Sequence, residues 1–164
     1  MGRLRSRSWA YWANRSAETE KSMRDLLTLK TTRFQYLHGA SRPERINPDS
    51  WTLHQALLDR PGNVDIQLAL LYDYRNNPPQ YSKWQTYLRE RQPPMLVVWG
   101  KNDPFFTVAG AQTYRRDVPK AEVHLFDGGH FLLEEHAEAV ATLIRKFLGA
   151  TERSAPLTAG AARG

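Results

Sequence analysis

Residues 95–106, MLVVWGKNDPFF, are the stretch that decides the fold of this 164-residue chain. Its first five residues form an unbroken apolar run of strand length, which is typical of a strand buried on both faces in a parallel sheet. A proline pair, 93–94, stands directly before this run and marks a boundary. Beyond it the pattern predicts a helix over 108–116, a second strand over 121–126 and an amphipathic helix over 134–148. This order predicts an α/β unit with two parallel core strands.

The segment before the proline pair, residues 16–92, has helical periodicity. Ser16 is expected to cap a first helix, and a second helix is predicted over 50–60. A third helix is predicted from Asn63, and its apolar residues point nearly all round the axis, so we expect it to be covered on more than one side. The prolines at 78–79 are expected to open a fourth helix.

The net charge of +6 lies entirely in the first part of the chain. Residues 1–48 carry the excess of Lys and Arg, whereas residues 49–164 hold equal numbers of basic and acidic side chains. The N-terminal arginines are scattered among tryptophans and acidic residues instead of following one helix face, so nucleic-acid binding is not expected. A solvated surface or an irregular N-terminus explains the charge instead.

Composition excludes several other classes of protein. The chain contains no Cys, which excludes disulfide scaffolds and Cys-ligated zinc. No apolar stretch reaches the length of a membrane helix, and the start, with Arg3, Arg5 and Arg7, is not followed by the apolar block of a secretory signal. A cytoplasmic location is therefore expected. No histidine pair has metal-ligand spacing with a carboxylate, so we expect neither a metal nor a cofactor.

Two side chains capable of catalysis follow the two predicted strands. Asp103 lies just after the first strand, and His130 follows the second within the loop 127–131, DGGHF. Because the carboxyl ends of neighbouring parallel strands meet at one edge of a sheet, we expect these two side chains to meet. A carboxylate in that place orients the imidazole, and the other ring nitrogen then serves as a general base.

These motifs resemble the C-terminal third of α/β-hydrolase fold enzymes. The run 97–106, VVWGKNDPFF, and the later Gly-Gly-His-Phe ahead of an amphipathic helix carry the resemblance, which is closest in style to the branch of haloalkane dehalogenases and epoxide hydrolases. In that family the chain order is nucleophile, acid, histidine. The resemblance implies that Asp103 is the acid and His130 the catalytic histidine.

The resemblance also implies a division of the chain. It predicts a helical lid and the C-terminal part of an α/β-hydrolase core with the early strands missing. The basic residues at the start predict an N-terminal extension, and the small, polar, weakly patterned residues at the end predict a disordered tail. In chain order, these segments are 1–15, 16–92, 93–149 and 150–164. Gly149 is expected to end the last helix in a left-handed conformation.

The nucleophile of the family has no counterpart in this sequence. The family places Ser, Asp or Cys on a tight elbow between two glycines, and no Ser or Asp here has glycines two residues to either side. Ser41 comes nearest, with Gly39 before it and Pro43 after it, but its context predicts a turn within the lid. The pair His38-Gly39 matches the oxyanion-hole dipeptide of the family only weakly.

We therefore expect a hydrolase-type chain, built for His-assisted attack on a small, mostly apolar substrate, that is truncated and inactive alone. Its predicted partners are that substrate, once the core is complete, and a partner or second copy that supplies strands to the open sheet edge. The alternative is a non-catalytic interaction module that uses the aromatic surface of its helices. In that case His130 is dispensable.

Overall fold

A computed structural model of the chain describes residues 2–154, with the side chains of residues 7–151. Six helices come first, and a strand–helix–strand–helix unit follows them. The elements in chain order are α1 (Gly2–Ala13), α2 (Ala17–Arg24), α3 (Leu29–Leu37), α4 (Pro48–Leu58), α5 (Asn63–Asp73), α6 (Tyr81–Arg91), β1 (Leu96–Gly100), α7 (Val108–Asp117), β2 (Glu122–Phe126) and α8 (Leu133–Ser154). Within the described part of the chain, no helix is long and apolar enough to cross a membrane.

The two strands form a parallel pair, as the sequence predicts. Val97 is in register with Val123, and the last residue of β1, Gly100, is in register with the last residue of β2, Phe126. Helix α7 connects the two strands. Because both strands end at the same level, the loops that carry Asp103 and His130 leave the sheet at one edge.

Strand β1 is covered less completely than its apolar sequence predicts. Val97 and Gly100 are buried, whereas Leu96, Val98 and Trp99 are half-buried. The sheet of the described residues has two strands, so β1 has a paired neighbour on one side only. Of the five residues predicted as a strand buried on both faces, 95–99, Val97 is buried and the other four are half-buried.

The helical part of the molecule is built around a small core of Tyr11, Met23 and Leu68, all essentially inaccessible to solvent. The Tyr11 hydroxyl donates a hydrogen bond to the carbonyl of Leu68 at 3.1 Å, and the indole of Trp12 donates to the carbonyl of Leu71 at 2.8 Å. Helix α1 is therefore anchored on α5. The segment 1–15, which is predicted as a basic N-terminal extension, contains most of α1. Its Tyr11 is buried in the helical core, where the hydroxyl is hydrogen-bonded to Leu68.

Two helices of this part test the sequence predictions directly. Ser16 caps α2 and accepts a hydrogen bond from the Thr19 amide, as predicted. The expected covering of α5 on several sides is wrong, since Leu68 is buried while Ile66 and Leu70 are each more than half exposed. The neighbours that the described residues supply pack against only one face of the helix.

The last helix is longer than predicted. Helix α8 continues through Gly149 to Ser154, because Gly149 does not adopt the left-handed conformation that would end it. The predicted disordered tail, 150–164, therefore overlaps α8, because residues 150–154 are helical. Its remainder, 155–164, lies outside the described residues.

Candidate active site

The structure brings Asp103 and His130 together at the carboxyl edge of the sheet. The Nδ1 atom of His130 lies 3.0 Å from Oδ2 of Asp103. An ionised carboxylate can only accept, so the proton of this hydrogen bond resides on Nδ1. In the neutral imidazole, this tautomer leaves Nε2 as the acceptor nitrogen, which is the state a general base requires.

The loop after β1 fixes the Asp103 carboxylate. Its Oδ1 accepts hydrogen bonds from the backbone amides of Phe105 at 2.7 Å and Phe106 at 3.0 Å. The Trp99 indole donates to the carbonyl of Phe106 at 2.9 Å and ties the loop back to the strand. The carboxylate side chain is 8% exposed. A nearly buried carboxylate with three hydrogen-bond donors can hold the imidazole in one orientation.

Three phenylalanine rings flank the His130 imidazole. Phe106 stacks on it with ring centroids 5.7 Å apart, and Phe105 and Phe131 meet it edge-on at 4.9 Å and 5.1 Å. No group among residues 7–151 hydrogen-bonds to the Nε2 atom of His130, and this atom is not buried. The imidazole therefore presents a free acceptor nitrogen in apolar surroundings.

Helices α3 and α4 place a second aromatic group against Phe131. Tyr36 stacks on Phe131 with ring centroids 4.1 Å apart, and its hydroxyl lies 3.3 Å from Nδ1 of His54. Burial raises the pKa of Tyr36, and the nearby Glu134 raises it further. The phenol is therefore neutral near pH 7, and its ring forms one wall beside the histidine loop.

Ser41, the nearest match to a nucleophile in the sequence, does not face His130. Its Oγ donates to Oε1 of Glu135 at 2.9 Å, so its hydroxyl is engaged at the start of α8. The loop 38–42 that contains it nevertheless lies against both strand-end loops, where the Asn102 side chain donates to the carbonyl of Gly39 at 3.0 Å. Sequence reasoning missed Asn102 and Glu135 as site residues. The glycine at position 39, which has a positive φ of 81°, is the signal that marks the close approach.

The remaining histidines of the strand and helix lie away from this pair. His124, on β2, is 3.6 Å from Glu122. The Nε2 atom of His136, in the first turn of α8, lies 2.9 Å from the carbonyl of Asp127, and its ring contacts Phe126. Residues 7–151 contain no cluster of three or more acidic or histidine side chains suited to a metal ion.

An open aromatic groove of about 840 Å³ lies next to Phe106, the ring that also stacks on His130. Most of its walls come from α1, α6, β1 and α7, and Phe105 and Phe106 border both the groove and His130. The aromatic residues that contribute include Trp9, Trp12, Tyr81, Trp84, Trp99 and Tyr114. Several aromatic residues of the helical segment are thus partly exposed, in addition to those that pack in its core.

The chain matches a known protein family over most of its length. The family model of the alpha/beta hydrolase fold matches residues 3–137, a range that includes both Asp103 and His130. The chain belongs to the α/β-hydrolase fold family. The predicted fold class, a partial α/β-hydrolase fold with a two-stranded parallel sheet, is confirmed by this match and by the sheet.

Several known hydrolases are similar to this chain. An uncharacterized hydrolase, YNR064C, of Saccharomyces cerevisiae is 47% identical over 107 residues, which are 65% of this chain and 37% of the relative. A 2-hydroxy-6-oxononadienedioate/2-hydroxy-6-oxononatrienedioate hydrolase of Pseudomonas putida is 36% identical over 73 residues, 44% of this chain and 26% of that protein. A poly(3-hydroxyalkanoate) depolymerase of Ectopseudomonas oleovorans is 39% identical over 62 residues, 38% of this chain and 22% of that protein. No solved structure matches significantly.

These matches span well under half of each relative's length. They support a hydrolase-type function by family, and they do not favour the alternative of a non-catalytic interaction module. They do not separate the branch of haloalkane dehalogenases and epoxide hydrolases from other branches, so that narrower assignment stays a prediction.

Proposed function

We propose that this chain supplies the acid and histidine of an α/β-hydrolase active site, with His130 as general base and Asp103 as the residue that orients it. The observation that carries the proposal is the 3.0 Å contact between His130 Nδ1 and Asp103 Oδ2, which leaves Nε2 free. The family match supports it, because both residues lie in the matched range.

The proposed chemistry assigns one role to each atom of the pair. Nε2 of His130 takes the proton from the attacking group, either the nucleophile itself or the water that hydrolyses a covalent intermediate. Nδ1–H remains bonded to Asp103, whose charge stabilises the imidazolium that forms. The imidazolium then returns its proton to the leaving group or to the regenerated nucleophile, so that the base is unchanged after turnover.

The nucleophile has to come from another polypeptide segment in this proposal. Within residues 7–151, the oxygen atom that hydrogen-bonds to His130 belongs to Asp103, and the Ser41 hydroxyl is hydrogen-bonded to Glu135. We therefore propose that the 164-residue chain alone turns over little or no substrate. The identity of the nucleophile as Ser, Asp or Cys determines whether esters, or epoxides and organohalides, are attacked.

We propose a small, mostly apolar substrate group next to His130. Phe105, Phe106 and Phe131 surround the imidazole, and apolar walls of this kind favour uncharged substrate atoms at the reacting centre. In this proposal residues 16–92 act as the lid, because α3 and α4 supply Tyr36 and His54 to the same wall.

Complementation tests the proposal. The purified chain is assayed alone and together with the part of the yeast relative that lies outside the match, against a panel of a nitrophenyl ester, an epoxide, an organohalide, a dienedioate and a hydroxyalkanoate ester. We expect no turnover by the chain alone and turnover by the combination. His130→Gln should lower the combined activity by about 10²- to 10⁴-fold, the usual contribution of a general base.

His124→Gln provides the matched control, since it removes a histidine of β2 that lies away from the pair. It should leave the combined activity unchanged. Turnover by the chain alone that disappears in His130→Gln would contradict the need for a separate nucleophile. Combined activity that is indifferent to His130 would contradict the proposed role of the pair.

A further inference from the structure

We propose that Glu135 is a positioning residue, which holds the loop 38–42 on the histidine loop and through it keeps His130 in its productive orientation. The inference rests on the proposed function of His130 and deepens it. It connects the helical segment to the acid–histidine pair through one carboxylate.

The Glu135 carboxylate binds the loop through three hydrogen bonds. Oε2 accepts from the Ser41 amide at 3.1 Å, and Oε1 accepts from the Ser41 hydroxyl at 2.9 Å and from the Arg42 amide at 2.8 Å. Two consecutive backbone amides on one carboxylate fix both the position and the direction of the loop. Hydrogen bonds to an ionised group are the stronger kind, so this clamp depends on the charge.

The clamped loop lies directly against the residues that precede His130. A Cβ on Gly129 would lie 2.5 Å from the carbonyl oxygen of His38, and a Cβ on Gly39 would overlap the backbone of Asn102. A Cβ on Gly128 would lie 3.5 Å from Oε2 of Glu135, so the Glu135 carboxylate is also close to the histidine loop 127–131. The loop 38–42 therefore cannot move toward the sheet edge without displacing the histidine loop.

Asn102 couples the same loop to both strand ends. Its side-chain nitrogen donates to the carbonyl of Gly39 at 3.0 Å and to Oδ1 of Asp127 at 2.9 Å, and its backbone amide donates to the carbonyl of Gly128 at 3.0 Å. The acid loop, the histidine loop and the loop 38–42 thus form one hydrogen-bonded unit. Glu135 is the charged member that joins this unit to α8.

The adjacent Glu134 gives a charge-matched control. It lies in the same first turn of α8, but it accepts a single hydrogen bond from the Ser50 hydroxyl at 2.9 Å and does not bind the loop 38–42. Glu134→Gln and Glu135→Gln remove the same charge from the same helix start. A difference between the two variants is therefore due to the hydrogen bonds between Glu135 and the loop 38–42, because the change in net charge is the same in both.

The experiment uses the full chain labelled with ¹⁵N, and it measures amide exchange together with the imidazole ¹⁵N resonances of His130, assigned with His130→Gln. In Glu135→Gln we expect the Ser41 and Arg42 amides to exchange about 10-fold faster, as the loss of a charged hydrogen bond predicts. We also expect the single tautomer signature of His130 to broaden or split. Glu134→Gln should change neither. Gly129→Ala, which presses on the His38 carbonyl, should reproduce the His130 change.

Three outcomes overturn the inference. Unchanged exchange at Ser41 and Arg42 would show that the clamp is absent, and faster exchange with an unchanged His130 spectrum would show that it is merely structural. Equal effects of the two glutamine substitutions would assign the change to charge alone. Asp103→Asn separates these failures from failure of the proposed function: if it leaves the His130 resonances unchanged, the acid–histidine pair itself is not formed.

Discussion

The two parts of the molecule hold their structures by different means. In residues 95–151, a parallel strand pair and a set of backbone hydrogen bonds between strand-end loops define the geometry, as in the bond from the Lys101 amide to the carbonyl of Phe126 at 2.8 Å. In residues 7–92, short helices pack on a core of Tyr11, Met23 and Leu68, and eleven of their large apolar side chains remain exposed. The exposed residues of that part are Trp9, Leu29, Phe34, Leu53, Leu57, Ile66, Leu70, Tyr74, Tyr81, Trp84 and Tyr87.

This contrast separates the residues that perform chemistry from those that position it. Directional bonds place Asp103 and His130, so their geometry depends little on the size of the apolar core. The helical part depends on few buried side chains, and substitutions there should act mainly through stability. Leu68→Ala, Asp117→Asn and Tyr74→Phe, each with a matched control, probe that division, and their expected effects on stability decrease in this order.

Leu68→Ala should cause the largest loss of stability. Leu68 is inaccessible to solvent and belongs to the same buried cluster as Tyr11 and Met23, so the substitution leaves a cavity in the helical core. We expect a loss of about 2–5 kcal/mol in the free energy of unfolding, measured by urea titration with circular dichroism.

Leu70→Ala is the control for that prediction. It removes the same side chain two residues further along α5, at a position that is 59% exposed. Its effect should stay within about 0.5 kcal/mol. Equal losses for the two variants would show that the exposed face of α5 is covered in solution, and the contrast between the two parts of the molecule would then weaken.

The sequence predicts the α/β part well because its signals are local. The run 95–99 and the segment 121–126 give strands displaced by no more than one residue at either end, and the turn chemistry after each strand places Asp103 and His130 at one edge. Continuous apolar runs and strand-end polar residues need no knowledge of distant contacts. The capping of α2 by Ser16 is local in the same sense.

The parts that the sequence does not predict depend on contacts between distant residues. Glu135 and Ser41 are separated by 94 positions, and nothing in either local pattern indicates that they meet. The burial of Leu68 beside the exposure of Ile66 depends on which neighbours reach α5. The end of α8 differs for another reason, since a glycine permits a left-handed helix end but does not require it.

Asp117 lies at the junction between the two parts, and its substitution is expected to have an intermediate effect on stability. Hydrogen bonds and charge from Arg116 and then from Arg89 hold the pKa of Asp117 below its ordinary value, against the opposing effect of burial. Arg89 belongs to α6 of the helical part, and its guanidinium lies 2.9 Å from the carboxylate on α7. The ionised carboxylate thus forms an ion pair across the junction.

We expect Asp117→Asn to lower the melting temperature at about pH 7, where the native carboxylate is ionised. A depressed native pKa stabilises the fold above the ordinary carboxyl pKa, and this contribution disappears as the pH falls through the native pKa. The difference between the two proteins should therefore shrink in acid, as the pH falls below the ordinary carboxyl pKa and through the lower native pKa of Asp117. Asp65→Asn, which removes a highly exposed partner of Arg24, should have little effect at either pH. A difference for Asp117→Asn that persists in acid would assign the effect to shape and not to charge.

Tyr74→Phe should have the smallest effect on stability and a clear effect on one titration. The Tyr74 and Tyr81 hydroxyls lie 3.3 Å apart, and this hydrogen bond, with burial, raises the pKa of Tyr81 to about 12. Removing the Tyr74 hydroxyl should lower the pKa of Tyr81 toward the ordinary tyrosine value, as measured by ultraviolet difference spectra in alkali. Because the raised pKa favours the neutral phenol, the linked stabilisation is present near neutral pH and is lost as the pH rises toward 12. Tyr87→Phe, on the same helix, gives the matched background for the spectra. If Tyr81 titrates at its ordinary pKa in the native chain, the two rings do not hold each other in solution, and the helical part is even more loosely ordered than the contrast with the strand-end loops implies.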